Sequence, residues 1–192
     1  MRLLGGGKGA RDNRTHQVSG RHAHMGMSVT ISAATAQDAE HILKLQYLCY
    51  QSEAELYGDY AIEPLTQSLD DLRAEIADGP ALVARLGDEV VASVRGRVGE
   101  DGTARIAKLI VHPRMQGHGL GGRLLDAIEE SFAREPAARR FRLFTGHRSE
   151  GNLRLYRSRG YVPVSREQIG PRLTVVTLEK EAASPAAFVT SA

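Results

Sequence analysis

The residues of this chain best placed to do chemistry are glycines. Gly117, Gly119, Gly121 and Gly122 fall within six positions, after an apolar, strand-like segment and before an amphipathic, helix-like one. Glycines lack Cβ atoms, so backbone N–H groups in such a loop can crowd around a phosphate at a helix N-terminus, where about four N–H groups have no partner within the helix. The segment 109–125 therefore predicts an anion-binding loop.

Two common nucleotide motifs do not match this loop. Gly117 to Gly122 formally satisfies G-x-G-x-x-G, but about 20 residues later, where an acidic ribose ligand should stand, the chain reads Arg139 to Arg142. A P-loop requires Gly-Lys-Ser/Thr at the helix start, whereas Gly122 is followed by Arg123. The loop therefore indicates neither a dinucleotide site nor a nucleotide triphosphatase.

A longer, composite pattern does match a known family. It reads Val111-x-Pro113-x-x-Gln116-Gly-x-Gly119-x-Gly121 and then, about 35 residues on, Asn152-x-x-Leu155-Tyr156-x-x-x-Gly160-Tyr161. This composite resembles the GNAT superfamily of N-acetyltransferases, whose acyl-CoA motif is Gln/Arg-x-x-Gly-x-Gly/Ala. The resemblance implies acetyl-CoA as the cofactor, with its diphosphate on the N–H groups of residues 117–122 and its pantetheine arm on the end of the fourth strand.

The resemblance also implies which residues contact the cofactor. His118 remains ambiguous, because a loop histidine can meet a phosphate or the adenine, or can simply face solvent. The expected cofactor-binding residues are Leu109, Ile110, Val111, Gln116, Gly117, His118, Gly119, Leu120, Gly121, Gly122, Arg123, Asn152 and Tyr156.

Two catalytic roles follow from the same resemblance. Acetyl transfer to an amine passes through an oxyanion, and the backbone N–H of Ile110 or Val111 is the implied donor. Tyr156 aligns with the family tyrosine that protonates the departing thiolate. The alternative for Tyr156 is a core tyrosine that packs with Leu155 and Tyr161.

The general base is less clear from the sequence. Many family members carry a glutamate on the fourth strand at the position of Arg105 here. The acidic, tyrosine-rich segment 50–64 supplies the alternatives, because the family's acceptor pocket is lined by the end of the first helix and the loop after it. Carboxylates and aromatic faces suit a cationic amine, although this segment could also be a solvated helix end and a water chain could carry the proton. Among Glu53, Glu55, Asp59 and Glu63, we expect Glu55 as the base, and we expect the acceptor to contact Glu53, Tyr57, Asp59 and Tyr60.

The overall composition agrees with a soluble cytoplasmic enzyme. One cysteine among 192 residues suits a reducing compartment, and no apolar run approaches the ~20 residues of a membrane span. Residues 1–27 carry five basic residues and one acidic residue, so their +4 exceeds the whole-chain net charge of +2 and the remainder is −2. We expect this segment to be disordered, or to result from a misassigned start with Met25 or Met27 as the true initiator, and we expect no nucleic-acid partner. No histidine or cysteine spacing suggests a metal site.

The elements that must position these residues follow from periodicity and turn signals. The predicted order is a strand (28–33), two helices (from Thr35-x-x-Asp38 and from Ser68-x-x-Asp71), three antiparallel strands (81–86, 90–98 and 103–111), a helix to about 134, a strand (141–145), a helix (150–159) and two strands (161–164 and 173–178). This order is typical of an α/β (α+β) fold with a mixed, largely antiparallel sheet of about seven strands and about four helices. It covers residues 28–180, with a flexible tail at 181–192, and by analogy it permits a homodimer.

These observations predict an acetyl-CoA-dependent N-acetyltransferase that acts on a primary amine by direct attack in a ternary complex. A small cationic metabolite or aminated antibiotic is the first candidate for the acceptor. A protein N-terminus or lysine side chain is the second. A non-catalytic acyl-CoA-binding regulatory module is the third interpretation, which Tyr156 argues against and Arg105 leaves open.

Overall fold

A computed structural model describes residues 28–134 and 138–183 of the chain. It contains seven strands and five α-helices within these ranges. In chain order they are β1 (Val29–Ala33), α1 (Ala39–Tyr57), α2 (Glu63–Thr66), α3 (Leu69–Asp78), β2 (Ala81–Leu86), β3 (Glu89–Val98), β4 (Thr103–Val111), α4 (Leu120–Ala133), β5 (Arg140–Gly146), α5 (Glu150–Ser158), β6 (Val162–Gln168) and β7 (Thr174–Glu181). None of the described helices combines the length and apolarity that crossing a bilayer requires.

The seven strands form one sheet in the order β1-β2-β3-β4-β5-β7-β6. Every neighbouring pair is antiparallel except β4 and β5, which are parallel. A parallel pair needs a crossover connection, which α4 provides here. The predicted largely antiparallel, seven-stranded sheet is therefore confirmed.

Local signals account for the helix boundaries. The backbone N–H of Thr35 donates to the Asp38 carboxylate at 2.8 Å ahead of α1, and the Ser68 hydroxyl accepts from the Asp71 N–H at 3.1 Å at the start of α3. Helix α1 ends at Gly58, whose φ of 67° is the left-handed conformation that glycine adopts without strain. The two predicted caps thus begin these helices.

The sheet buries apolar side chains on both faces. On one face, Leu124, Ile128 and Phe132 of α4 are fully buried against β2 to β5 and β7. On the other face, Ile42 of α1 and Leu72 of α3 pack against β2, β3 and the end of β4. Helix α4 and helix α1 therefore lie on opposite sides of the sheet.

Strands β4 and β5 pair over only three residues each. Thr103 to Arg105 pairs with Arg140 to Arg142, and beyond these residues the two strands have no ladder between them. Both strands nevertheless continue, β4 to Val111 and β5 to Gly146. The separation leaves the second half of β4 without a strand partner on its β5 side.

The structure differs from the sequence-based boundaries at α1, α2, β6 and β7. Helix α1 runs to Tyr57, and a short helix, α2, lies in the stretch predicted as a loop. Strand β6 continues to Gln168 because it pairs along almost the whole of β7. The predictions for residues 1–27 and for the end of the tail concern residues outside the described ranges, while Glu181 is the last residue of β7.

Replacing Phe132 by Ala should lower the free energy of unfolding by about 3–5 kcal/mol, because a fully buried aromatic side chain is removed. Phe132 also packs against Phe141, with ring centroids 6.4 Å apart. Chemical denaturation measures the loss. The control is Phe144→Ala, since Phe144 is 64% exposed and should change stability by no more than about 0.5 kcal/mol. Equal losses in the two variants would contradict this description of the core.

Candidate functional site

A cavity lies where β4 and β5 separate. It has a volume of about 940 Å³ and is bounded by α1, α2, both diverging strands, the glycine loop before α4 and helix α5. The cavity therefore occupies the space that a continued β4–β5 ladder would have closed.

The glycine loop is open at the two positions with left-handed backbone. Gly117 and Gly119 have φ values of 80° and 77°, and a Cβ at either position would meet no atom within 4 Å. Both residues line the cavity, Gly119 is the N-cap of α4, and the first turn of α4 carries no acidic residue. An uncovered helix N-terminus of this kind suits the diphosphate of a nucleotide cofactor.

Gly121 and Gly122 serve a different purpose, which is packing against α5. A Cβ at Gly121 would lie 3.3 Å from Leu155, and a Cβ at Gly122 would overlap the guanidinium of Arg159. That guanidinium forms an ion pair with Asp126 of α4 at 3.0 Å. The four glycines thus divide into two that shape the loop and two that let α5 approach α4.

The side chains expected to supplement the loop fall into two groups. Gln116 donates to the Val111 carbonyl at 3.0 Å, Asn152 donates to the Thr145 hydroxyl at 3.2 Å, and both side chains belong to the cavity lining. Arg123 instead reaches the Val29 carbonyl at 3.3 Å, and His118 is exposed; neither lines the cavity. The geometry therefore brings Gln116 and Asn152, but not Arg123 or His118, to the cavity.

The end of β4 lies along the cavity as expected. Leu109, Ile110 and Val111 all line it, together with Leu120 at the start of α4. A bulge interrupts the ladder just before them: Arg95 of β3 faces Ala107 and Ser93 faces Ile110, so β4 holds one extra residue. Such a bulge re-aims the strand that follows it.

Cys49 lies beside this strand end. Its thiol donates to the Val111 carbonyl at 3.4 Å and lines the cavity. Burial raises the pKa of the Cys49 thiol to about 11. The thiol is therefore protonated at neutral pH and is a poor nucleophile.

Tyr156 is both buried and part of the cavity wall. Its side chain is 5% exposed, and its ring packs against that of Tyr161 with centroids 6.2 Å apart. Burial, and secondarily the nearby charge of Glu53, raises the pKa of the Tyr156 hydroxyl above its ordinary value. Tyr156 therefore keeps its proton at neutral pH, as a proton donor must.

Only some residues of the acidic, tyrosine-rich segment 50–64 line the cavity. Glu53 lines the cavity, and burial raises the pKa of its carboxyl group. Glu55 is exposed and does not line the cavity. Residues two apart on an α-helix lie about 200° apart around its axis, so α1 cannot present both carboxylates to the same side.

The remaining expected acceptor residues also lie away from the cavity. Tyr57 is buried, and its hydroxyl accepts from the Arg148 N–H at 3.0 Å, which fixes the turn after β5. The Asp59 carboxylate accepts from the Ala61 N–H at 2.8 Å, and Tyr60 is 57% exposed. The cavity lining includes none of these three residues.

Several cavity residues are not among the site residues expected from the sequence, and two of them are Tyr50 and Lys108. Tyr50 lines the cavity one helical turn before Glu53, and i, i+3 spacing on a helix was the signal that could have identified it. Lys108 lies in the bulge of β4 and donates to Glu63 at 2.8 Å and to Glu75 at 3.3 Å. No signal in the sequence places Lys108 at the cavity, because the bulge and both of its partners are set by tertiary contacts.

A metal centre has no support in this part of the chain. Over residues 28–134 and 138–183, no group of three or more histidine, cysteine or acidic side chains lies close enough to hold a metal ion.

Comparisons with known proteins agree with this geometry. The acetyltransferase (GNAT) family matches residues 42–161. Among solved structures, the PaiA N-acetyltransferase of Thermoplasma acidophilum in complex with coenzyme A is similar at a TM-score of 0.67 and 17% identity, over 81% of this chain and 99% of that one. YncA of Salmonella typhimurium, determined with its cofactor acetyl-CoA, is similar at a TM-score of 0.65 and 20% identity, over 85% and 99%.

A further similar structure is the ribosomal-protein-S18-alanine N-acetyltransferase of Escherichia coli, at a TM-score of 0.67 and 14% identity, over 85% of this chain and 100% of that one. At these identities the similarity extends to the fold. No curated protein matches the chain in sequence.

Replacing Gly119 by Val should abolish binding of coenzyme A, the ligand that the sequence predicts for the loop. A β-branched residue is strained at a φ of 77°, and its side chain would enter the space in front of the helix N-terminus. Calorimetric titration with coenzyme A measures the loss. Gly170→Val is the matched control, because Gly170 lies outside the cavity and a Cβ there meets no atom within 4 Å. Undiminished binding by the Gly119 variant would defeat the assignment of the loop.

Proposed function

Because the chain belongs to the acetyltransferase (GNAT) family, we propose that it is an N-acetyltransferase that moves an acetyl group from acetyl-CoA to a primary amine of a small molecule. The observation that carries the proposal is one cavity shared by an open glycine loop, a protonated tyrosine and a carboxylate without an ion pair in the described ranges. These are Gly117 and Gly119, Tyr156 and Glu53.

The residues present fit acetyl-CoA, which supplies a thioester-activated acetyl group when bound. The N–H groups of residues 117–122 would hold its diphosphate, since the left-handed glycines leave that side of the loop open. The edge of β4 from Leu109 to Val111, which has no strand partner on its β5 side, would pair with its pantetheine arm, as an added strand would. The backbone N–H of Ile110 or Val111 would donate to the carbonyl oxygen that becomes negative.

Tyr156 would supply the proton that the departing thiolate requires. Its raised pKa keeps the hydroxyl protonated across the physiological range. A thiolate, with an ordinary pKa near ~8.5, leaves more readily when a positioned acid protonates it.

Glu53 is the carboxylate best placed to act as the base. An alkylammonium, with a pKa near ~10.4, must lose a proton before its nitrogen can attack. Burial raises the pKa of Glu53, so its carboxylate is more basic than an exposed one yet remains ionised once the pH exceeds that raised value. Glu53 therefore takes the role that the sequence suggested for Glu55.

Direct attack of the amine is favoured over an acetyl-enzyme intermediate. Cys49 is the chain's one cysteine, and its pKa of about 11 leaves little thiolate at neutral pH. The amine is therefore proposed to attack the thioester of acetyl-CoA directly, in a ternary complex.

The test is acetyl-CoA-dependent release of free thiol in the presence of primary amines. Tyr156→Phe should lower kcat by a factor of about 10² or more and leave the Kd for acetyl-CoA within about twofold, because only the acid is removed. Tyr47→Phe is the control, since the Tyr47 hydroxyl donates to the Gln67 carbonyl at 2.8 Å outside the cavity. Equal loss of turnover and of acetyl-CoA binding in Tyr156→Phe would mean that Tyr156 is structural.

Replacing Glu53 and Glu55 by Gln, one at a time, should show which of the two carboxylates acts as the base. Glu53→Gln should lower kcat/KM at pH 7.5 by about 10² or more, and the deficit should shrink as the pH approaches ~10, where the amine loses its proton unaided. Glu55→Gln should match the unmodified protein at every pH, since Glu55 faces away from the cavity. In the unmodified protein, activity should fall on the acidic side at a pH above the ordinary pKa of 4.5 for glutamate, because Glu53 becomes protonated there. Identical pH profiles for the two variants would exclude Glu53 as the base.

A further inference from the structure

Part of the cavity lining outside the glycine loop consists of apolar side chains. We call this surface the apolar wall; it consists of Leu56, Ile62, Pro64, Phe144, Leu173 and Val175. These residues come from four separate parts of the chain, so the wall is created by the fold and not by one hydrophobic segment.

Phe144 is the most unusual member of the apolar wall. It is 64% exposed although it is a large aromatic side chain on a central strand. Its neighbour Leu143 is buried in the core against α4, and successive residues of a strand point to opposite faces. Phe144 therefore lies on the α1 side of the sheet, beside the cavity.

Val175 shares that face with Phe144. Thr177 pairs with Phe144 and Val175 pairs with Gly146, so the two side chains lie on the same side of neighbouring strands. Leu56 and Ile62 approach from the end of α1 and the start of α2. Apolar side chains from the two helices and from strands β5 and β7 thus border the same solvent-accessible cavity.

The charges at this end of the cavity are almost fully paired. Lys108 is bonded to Glu63 at 2.8 Å and to Glu75 at 3.3 Å. The Glu53 carboxylate has no ion pair or hydrogen bond with any residue in the described ranges, and burial is the sole cause of its raised pKa. One carboxylate is therefore left to meet one ammonium group.

A second positive charge on the acceptor would find no such partner. Glu55 and Asp59 do not line the cavity, and Glu63, which does, is paired with Lys108. Two carboxylates of the segment 50–64, Glu53 and Glu63, line the cavity, and of these Glu53 is the one without an ion pair in the described ranges.

We propose that the acceptor is a monoamine with an apolar body, such as an alkylamine or arylalkylamine, whose ammonium meets Glu53 while its hydrocarbon part covers the apolar wall. This inference rests on the proposed acetyl transfer. It follows from burial of apolar surface, which gives about 0.8 kcal/mol per methylene, or about a fourfold gain in kcat/KM per added CH₂. Polyamines and aminoglycosides would leave Phe144 in contact with polar groups and their extra charges unpaired.

The experiment is a series of straight-chain amines from propylamine to hexylamine, with 1,4-diaminobutane, an aminoglycoside and a short peptide as comparisons, in the thiol-release assay. We expect kcat/KM to rise about fourfold per methylene until the wall is covered, and hexylamine to exceed 1,4-diaminobutane. Phe144→Ala should flatten the series and leave the Kd for acetyl-CoA unchanged. The control is Val162→Ala, because Val162 is 58% exposed but does not line the cavity.

Binding provides a readout that is independent of turnover. Calorimetric titration of hexylamine into the protein loaded with coenzyme A should give a negative heat-capacity change, which Phe144→Ala reduces. Faster turnover of the diamine, the aminoglycoside or the peptide than of hexylamine would overturn the inference and leave acetyl transfer intact. Binding of hexylamine with that signature but without thiol release from any amine would support the apolar site and overturn the proposed acetyl transfer.

Discussion

The three-residue pairing between β4 and β5 is the constraint on which the site depends. The two strands are parallel in an otherwise antiparallel sheet, so the chain must cross over between them through α4. The crossover places the N-terminus of α4 directly after the end of β4, where the glycine loop lies. Because the ladder stops at Arg105 and Arg142, the same strand end also keeps an open edge. A helix N-terminus and a strand end without a partner on its β5 side therefore meet in one cavity.

A buried polar network connects strands β3 and β4 to the helices that border the cavity. Arg95 of β3 is 4% exposed, and its guanidinium donates to Glu75 at 2.8 Å and to Gln46 at 2.8 Å. Glu75 in turn accepts from Lys108, whose φ of 52° is the sole positive value of a non-glycine residue in the described ranges. A strained backbone of this kind persists when its surroundings over-determine it. The network therefore links the bulge of β4 to α1 and α3.

Burial changes the acid–base properties of the side chains that line the cavity. Burial raises the pKa of Glu53 and of Tyr156, and the charge of Glu53 adds to the effect on Tyr156. The pKa of the Tyr50 hydroxyl is also raised, with burial as the main cause. The result is a protonated tyrosine and a more basic carboxylate in one apolar enclosure, which are complementary needs of amine acetylation.

The sequence by itself determined the features whose signals are local: the caps of α1 and α3, the hairpins among β2, β3 and β4, and the glycine loop with the segment containing Asn152 and Tyr156. These signals involve residues a few positions apart, so they can be recognised without knowledge of the fold.

Tertiary structure alone decided which side chains reach the cavity. Continuation of α1 to Tyr57 turned Glu53 inward and Glu55 outward, since each helical residue adds about 100° of rotation. The bulge that places Lys108, and the apolar wall drawn from four separate parts of the chain, depend on contacts between residues distant in sequence, which no local pattern encodes.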